Sequence, residues 1–362
     1  MLSEFFNFSR SSFSSFIYKP DGSLRFMPFL YVLELTHKCN LACDFCYVGH
    51  KSGKNELSLE QWKKLIRQIP FYGFISLSGG EPFLKQNFFE ILNYAQKQVF
   101  GKVNIFSNGV LVDDAIAKEL IKRRVLLLNI SIDGIGKHHD KFRKIDGTFD
   151  KVVSNIENLV SLRKSIFPLI DIQTVMLNEN LDQIPQIYEL ICKLKCNFHS
   201  IALVNNNSLR QNSTFYENLC DIHCNKTYPL INLLDSKKFK EMYKELRCLQ
   251  KKYRVPIRFE PSYERGFDFL NIERFFNSEK SIITDIYRPC KVLNSRVFVN
   301  PQGIVYPCLS INMGNIKENS NLFEILNSSK YCNFRRKIKE EKLINACQLC
   351  CDLVVKKYWF SN

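Results

Sequence analysis

From Phe29 onward, short apolar and β-branched runs alternate with longer stretches of helical period. The strand-like runs are Phe29–Thr36, Phe74–Leu77, Lys102–Phe106, Val125–Ile132, Leu169–Met176 and Ser200–Val204. Between them, apolar positions recur every three to four residues over Leu59–Gln68, Asn87–Val99, Asp113–Lys122, Phe149–Lys164 and Ile184–Lys195, which predicts helices. Ser58, with Gln61 three positions on, has the pattern of a capping box opening the first of them. Strand–helix alternation calls for parallel strands joined by right-handed crossovers. Six strands predict an α/β fold, a partial (β/α)6 version of the TIM-type barrel, with the site in the loops after the strand C-termini.

The regular pattern has limits. Residues 1–28 show no clean period and read as an N-terminal extension, leaving 29–205 as the core. Residues 206–285 are mixed and read as a connecting region, with a polar stretch at Asn205–Asn218 and helical spacing in Lys238–Lys252. Cysteines return at Cys290, Cys308, Cys332, Cys347, Cys350 and Cys351, which places a small module at 286–362.

Composition narrows the class. A chain of 362 residues with 45% hydrophobic and 24% charged residues is globular in character. No apolar run approaches the ~20 residues that cross a bilayer, and the N-terminus lacks the order of a secretory signal. A cytoplasmic protein is therefore expected, where 14 cysteines serve as metal ligands or free thiols rather than disulfides. The net charge of +15 admits an acidic partner or nucleic acid, but the basic residues are scattered.

The chemistry concentrates after the first strand. Cys39, Cys43 and Cys46 form a C-x3-C-x2-C loop. Three thiolates hold three irons of a four-iron cluster and leave the fourth open to a ligand, whereas structural zinc wants four ligands. The second, third and fourth strands each end in a short polar segment: Ser78-Gly79-Gly80-Glu81-Pro82, Ser107-Asn108-Gly109 and Ser131-Ile132-Asp133-Gly134, with Arg143 following in HHDKFRKIDGTF. Glycines permit close backbone approach, and an arginine offers a fork to a carboxylate.

In this order, these segments resemble the radical S-adenosylmethionine (SAM) enzymes. The resemblance implies a [4Fe-4S] cluster on Cys39, Cys43 and Cys46, with SAM on its open iron. It implies SAM contacts from Phe45 at the adenine, from Gly79 and Gly80 at the methionyl part, and from Glu81 at the ammonium. Arg143 would take the carboxylate, and Ser107, Asn108, Ser131 and Asp133 the ribose and methionyl atoms. Reductive cleavage of SAM would then give a 5′-deoxyadenosyl radical that abstracts hydrogen from a substrate. Flavodoxin or ferredoxin would serve as reductant.

Cys290, Gly303, Cys308 and the Cys347/Cys350 pair are similar to the SPASM and twitch modules of the same superfamily, which implies an auxiliary [4Fe-4S] cluster. The pattern departs from a full SPASM set, favouring one auxiliary cluster, in which Cys332 or Cys351 could replace a ligand. Tetrahedral zinc on Cys290, Cys308, Cys347 and Cys350 is the competing reading, and with the charge it defines the alternative of a zinc-containing nucleic-acid-binding protein. Cys192 and Cys196 share a helical face and read as buried thiols, Cys220 to Cys224 resembles a metal hairpin only superficially, and His37, His138 and His139 read as polar loop residues.

The segment from Ser131 to Leu159 is most similar to peptide-modifying members, and Leu309 stands where sulfatase-activating relatives carry an acid. The implied substrate is a peptide or protein, with a separate protein able to supply leader-peptide binding. A small sugar or cofactor precursor is the alternative substrate. Anaerobic reconstitution is expected to give about eight irons per chain, and about four once Cys39, Cys43 and Cys46 are all replaced by alanine; iron and sulfide analysis of the two proteins checks both numbers.

Overall fold

A computed structural model describes residues 19–43, 45, 46, 48, 53–203, 234–260, 290, 292–308 and 311–342. In chain order they form β1 (Leu30–Thr36), α1 (Leu59–Ile66), β2 (Phe74–Gly79), α2 (Phe88–Gln98), β3 (Val103–Ser107) and α3 (Asp114–Lys122). Then come β4 (Leu127–Ser131), α4 (Lys137–Arg143), α5 (Thr148–Leu162), β5 (Leu169–Met176), α6 (Ile184–Lys193) and β6 (Phe198–Leu203). The remainder is α7 (Ser236–Tyr253), β7 (Ile257–Glu260), α8 (Val292–Ser295), β8 (Arg296–Val299), β9 (Val305–Tyr306), α9 (Leu322–Leu326) and α10 (Ser329–Glu341). All six expected strands and five expected helices are present, with ends shifted by at most a few residues.

Local chemistry sets the boundaries. The Ser58 side chain accepts from Gln61 N and the Gln61 side chain accepts from Ser58 N, closing the expected capping box on α1. Asp113 caps α3 by accepting from Ile116 N. α5 is preceded at its N-cap by Gly147, which has no capping side chain; Asp140 on α4 replaces it, accepting from Gly147 N and Phe149 N at 2.7 and 2.8 Å. That contact explains why the highly polar HHDKFR segment, without apolar period, is helical.

The strands form one sheet in the order β7-β6-β5-β4-β3-β2-β1-β8-β9, parallel throughout except for β9. Two features exceed the six-strand expectation. The connecting region contributes α7 and β7, a further helix–strand unit that extends the sheet beyond β6. At the other edge, β8 pairs in parallel with β1, so the C-terminal segment is built into the same sheet.

The two faces of the sheet differ sharply. Tyr31, Leu33, Ile75, Leu77, Ile105, Ile130 and Ile172 point to one side and pack with Trp62, Leu92, Leu120 and Ile156 of the helices. Glu34, Ser76, Asn104, Asn129, Asp171 and Ser200 alternate with them and point to the other side. Met176, Tyr188, Ile201, Phe239 and Phe259 form a second apolar cluster under α6 and α7.

Polar contacts fasten the C-terminal segment to the core. The Gln68 side chain accepts from Leu322 N at 2.7 Å and donates to Ser320 O at 2.8 Å. Leu57 N donates to Pro301 O at 2.6 Å, and Tyr306 Oη donates to the buried Glu34 carboxylate at 2.6 Å. Residues 19–28 join this side: Leu24 is buried and its N–H donates to Asn327 Oδ1 at 2.7 Å, while Arg335 Nη1 donates to Gly22 O. Gly22 has φ +91°, and a Cβ there would lie 2.4 Å from Cys332 O. Tyr306→Phe removes a donor from a buried carboxylate and is expected to cost about 1–3 kcal/mol, read from denaturant unfolding of the cluster-free protein.

Candidate functional site

The segment carrying Cys39, Cys43 and Cys46 leaves the C-terminal end of β1 and is held first by the neighbouring strand. The β1–β2 pairing runs on past both strand ends: Gly80 N donates to Thr36 O at 2.7 Å and Glu81 N to Lys38 O at 2.8 Å. Gly79 has φ +141°, and a Cβ on it would lie 2.3 Å from Thr36 O. A Cβ on Gly80 would lie 2.3 Å from Lys38 O. Both glycines therefore permit close contact with the cysteine segment itself. Glu56, which no motif in the sequence marks, completes the hold. Its carboxylate accepts from Thr36 Oγ1 at 2.7 Å and His37 N at 3.0 Å, with Lys85 Nζ at 3.0 Å.

Each thiol has its own surroundings. Cys39 Sγ accepts from Leu41 N at 3.4 Å and lies 3.9 Å from Asn108 Nδ2. Cys43 Sγ accepts from Arg143 Nη1 at 3.4 Å. Burial pushes the Cys39 and Cys43 thiols up, while the Arg143 guanidinium pulls Cys43 back. Among the described residues, no three His, Cys, Asp or Glu side chains converge on a single ion's position. Three thiols are the donor type that iron–sulfur clusters take, each thiolate on its own iron.

Arg143 is the hub between this loop and the later strands. Besides Cys43, its guanidinium donates through Nη2 to Asp133 Oδ2, and it lies over the Phe45 ring with its carbon 5.7 Å from the centroid. Its carbonyl accepts from Ala42 N at 3.4 Å. Nε is buried and has no hydrogen-bond partner among the described residues. Asp133 has no exposed surface; Oδ1 accepts from Val175 N at 2.7 Å. Both of its oxygens are thus engaged, one by Arg143 and one by the strand end.

Glu81 is enclosed as well. Its carboxylate accepts from Ser107 Oγ at 3.0 Å, Asn108 N at 2.9 Å and Phe83 N at 3.3 Å. Burial pushes its pKa up to about 7 against those three donors. It thus ties the ends of β2 and β3 together. Asn108 reaches from there to the cysteine loop, donating to Asn40 Oδ1 at 2.8 Å. Ser131 is half-buried at the end of β4.

Three histidines are part of the frame, while His138 on α4 is exposed. Asp133 N donates to His139 Nδ1 at 3.2 Å, and burial with the nearby Arg143 lowers the His139 pKa to about 3, so the ring is neutral. His37 is buried, 3.8 Å from Glu34. His199, unremarked in the sequence, shares a 2.9 Å hydrogen bond with Thr174. None of these three rings is poised as an exposed base.

Of the later cysteines, Cys290 and Cys308 are half-buried against the main core, in the segments flanking β8 and β9. Cys332 on α10 donates to Asn327 O at 3.5 Å. Cys196 lies past the end of α6, with burial pushing its pKa up to about 12. Cys220, Cys224, Cys347, Cys350, Cys351 and Leu309 fall outside the described residues.

Residues 33–191 match the radical SAM superfamily, and residues 290–351 match SPASM, an iron–sulfur cluster-binding domain. The chain is 33% identical over 184 residues to the Fe-coproporphyrin III synthase of Methanosarcina barkeri, covering 47% of this chain and 43% of that one. It is 35% identical over 175 residues to the sporulation killing factor maturation protein SkfB of Bacillus subtilis, covering 46% and 41%. The chain thus spans less than half the length of these curated relatives. Among solved structures, Streptococcus suis SuiB bound to S-adenosylmethionine superposes with a TM-score of 0.63 at 17% identity, covering 86% of this chain and 68% of that one, a likeness of fold.

Gly80→Ala is expected to push the Thr36–Lys38 backbone away and displace the cysteine loop, since its Cβ would meet Lys38 O at 2.3 Å. Reconstituted variant protein should lose about half of its iron, with the loss in the cluster signal that SAM perturbs in electron paramagnetic resonance.

Proposed function

From the radical SAM domain and the SPASM iron–sulfur cluster-binding domain found in this chain, we propose an oxidoreductase that abstracts hydrogen from a peptide or protein substrate. The radical SAM domain implies a [4Fe-4S] cluster and SAM, whose joint chemistry is hydrogen abstraction by a 5′-deoxyadenosyl radical, and the SPASM domain implies auxiliary iron–sulfur clusters.

The observation that carries this reading is the shared hydrogen-bonded system from Cys43 through Arg143 to Asp133, which joins the thiol loop to the ends of β4 and β5. Cys39, Cys43 and Cys46 are the ligand set of the first cluster. Arg143, with its buried Nε lacking a partner among the described residues, binds the SAM carboxylate. Ser107, Asn108 and Ser131 present polar groups to the ribose and methionyl atoms, and Phe45 packs near the adenine. Gly79 and Gly80 keep the backbone close to the methionyl group and the cysteine loop alike. Glu81 and Asp133 act from behind, holding Asn108 and Arg143 in position.

At the other end, Cys290, Cys308, Cys347 and Cys350 hold one auxiliary cluster, with Cys332 or Cys351 as the replacement ligand. A reductant of the flavodoxin or ferredoxin class supplies electrons, and a separate protein can present the peptide's leader. The cytoplasm, kept reducing, suits such thiols.

A peptide substrate is supported by the similarity to SkfB, a maturation protein. The similarity to a coproporphyrin synthase keeps a small cofactor or sugar precursor as the second reading. Reconstituted enzyme with dithionite should convert SAM to 5′-deoxyadenosine, and Arg143→Gln should slow that at least about tenfold, in line with the loss of a charge-assisted carboxylate contact. Absence of deoxyadenosine from the fully loaded wild-type protein overturns the proposal.

A further inference from the structure

The polar face of the sheet, away from the helices, carries an acidic group that none of the roles above uses. Barrel interiors are ordinarily packed with layers of branched apolar side chains. Here β4 to β7 place Ser131, Gln173, Ser200 and Arg258 side by side in one cross-strand row. The row below it contains Asn129 beside Asp171, and the row above contains Val175, Ala202 and Glu260. Ser131, Gln173, Val175, Ala202, Arg258 and Glu260 are all partly open to solvent, so this face is accessible at its upper rows.

Asp171 is the focus of this wall. It is 3% exposed, yet only one of its oxygens is served. Oδ2 accepts from Ser200 Oγ at 2.7 Å and Gln173 Nε2 at 2.8 Å, and lies 3.5 Å from Arg258 Nη2. Oδ1 is buried and has no donor among the described residues. Burial pushes the Asp171 pKa up to about 6, opposed by Arg258. Arg258 is shared with Glu260, whose Oε1 lies 3.3 Å from its Nε. Among the described residues two carboxylates share this guanidinium, and a buried acceptor without a donor is costly to keep. A ligand that brings N–H donors and positive charge satisfies both.

We propose that the Asp171–Arg258–Glu260 wall is the subsite that selects the substrate, and that it takes the cationic side chain of a lysine or arginine residue in the peptide. This deepens the peptide-modifying reading and rests on it. Asp171 Oδ1 accepts from the incoming ammonium or guanidinium, Glu260 attracts it at the rim, and Gln173 and Ser200 hold the Asp171 carboxylate in place. Arg258 competes with the incoming cation for both carboxylates.

The test uses SAM-loaded, cluster-reconstituted enzyme and three neutral-backbone probes: the N-methylamides of Nα-acetyl-lysine, Nα-acetyl-arginine and Nα-acetyl-norleucine. Titration calorimetry should show the cationic probes binding at least about tenfold tighter than the norleucine probe, the scale of one well-placed charge pair. Asp171→Asn should abolish that preference. Because a change at a buried site can disturb folding, the rim variants decide: Glu260→Gln should weaken only the cationic probes, and Arg258→Gln should tighten them. A purely internal ion cluster predicts no tightening in Arg258→Gln. Equal binding of all three probes, or weaker cation binding in Arg258→Gln, overturns the inference. Deoxyadenosine formation in the same protein separates the two readings: with it, loss of cation preference sinks the subsite alone, and without it the radical reading itself fails.

Discussion

Everything at the mouth of this sheet depends on a short stretch of backbone contact between two strand ends. The hydrogen bonds from Gly80 to Thr36 and from Glu81 to Lys38 continue the β1–β2 ladder beyond its regular part. They fix the first residues of the cysteine segment before any side chain acts. Only residues without a Cβ fit at 79 and 80, because a methyl group at either position would overlap a carbonyl oxygen. Once Thr36 to Lys38 are set, Glu56 secures them from the outside, and Asn108 and Arg143 reach the cysteines from the ends of the later strands. The loop is thus organised by backbone complementarity and then trimmed by polar side chains.

Much of this is legible in the sequence. Strong periodicity in segments such as LYVLELT and LIDIQTVM marks strands to within a residue or two, because one face must pack on helices. The short polar motifs do sit at strand ends. Their orientation is not legible. Glu81 and Asp133 read as groups that meet a ligand, yet neighbouring donors enclose both carboxylates. Spacing reports where a residue sits along the chain and not which neighbour claims it. Glu56 escapes notice for the same reason, since nothing local marks it as the partner of Thr36, twenty residues away.

Non-local pairing accounts for the other gaps. β7 is four residues long and alternates Ile257 and Phe259 with Arg258 and Glu260, too brief a pattern to register. β8 looks like any short apolar run, and only the folded sheet shows that it lies beside β1. The short helix α4 has no apolar period and exists through Asp140 and the start of α5. In contrast, Asp171 and Gln173 are visible as polar positions alternating with Ile170 and Ile172, although alternation alone does not say that the polar face encloses a carboxylate with an unserved oxygen.

The union of β1 with β8 has a bearing on how the chain comes to be folded. The hydrogen bond between Glu34 and Tyr306 joins residues 272 positions apart, so it forms only after most of the polypeptide has emerged from the ribosome. Until then β1 has a bare edge along LYVLELT, an apolar strand of the kind that recruits other chains. Loop closure over that span is slow relative to the local strand–helix pairings that precede it. Pairing with β8 closes that edge, so the strand that leads into the first three cysteines is completed by the part of the chain that is made last.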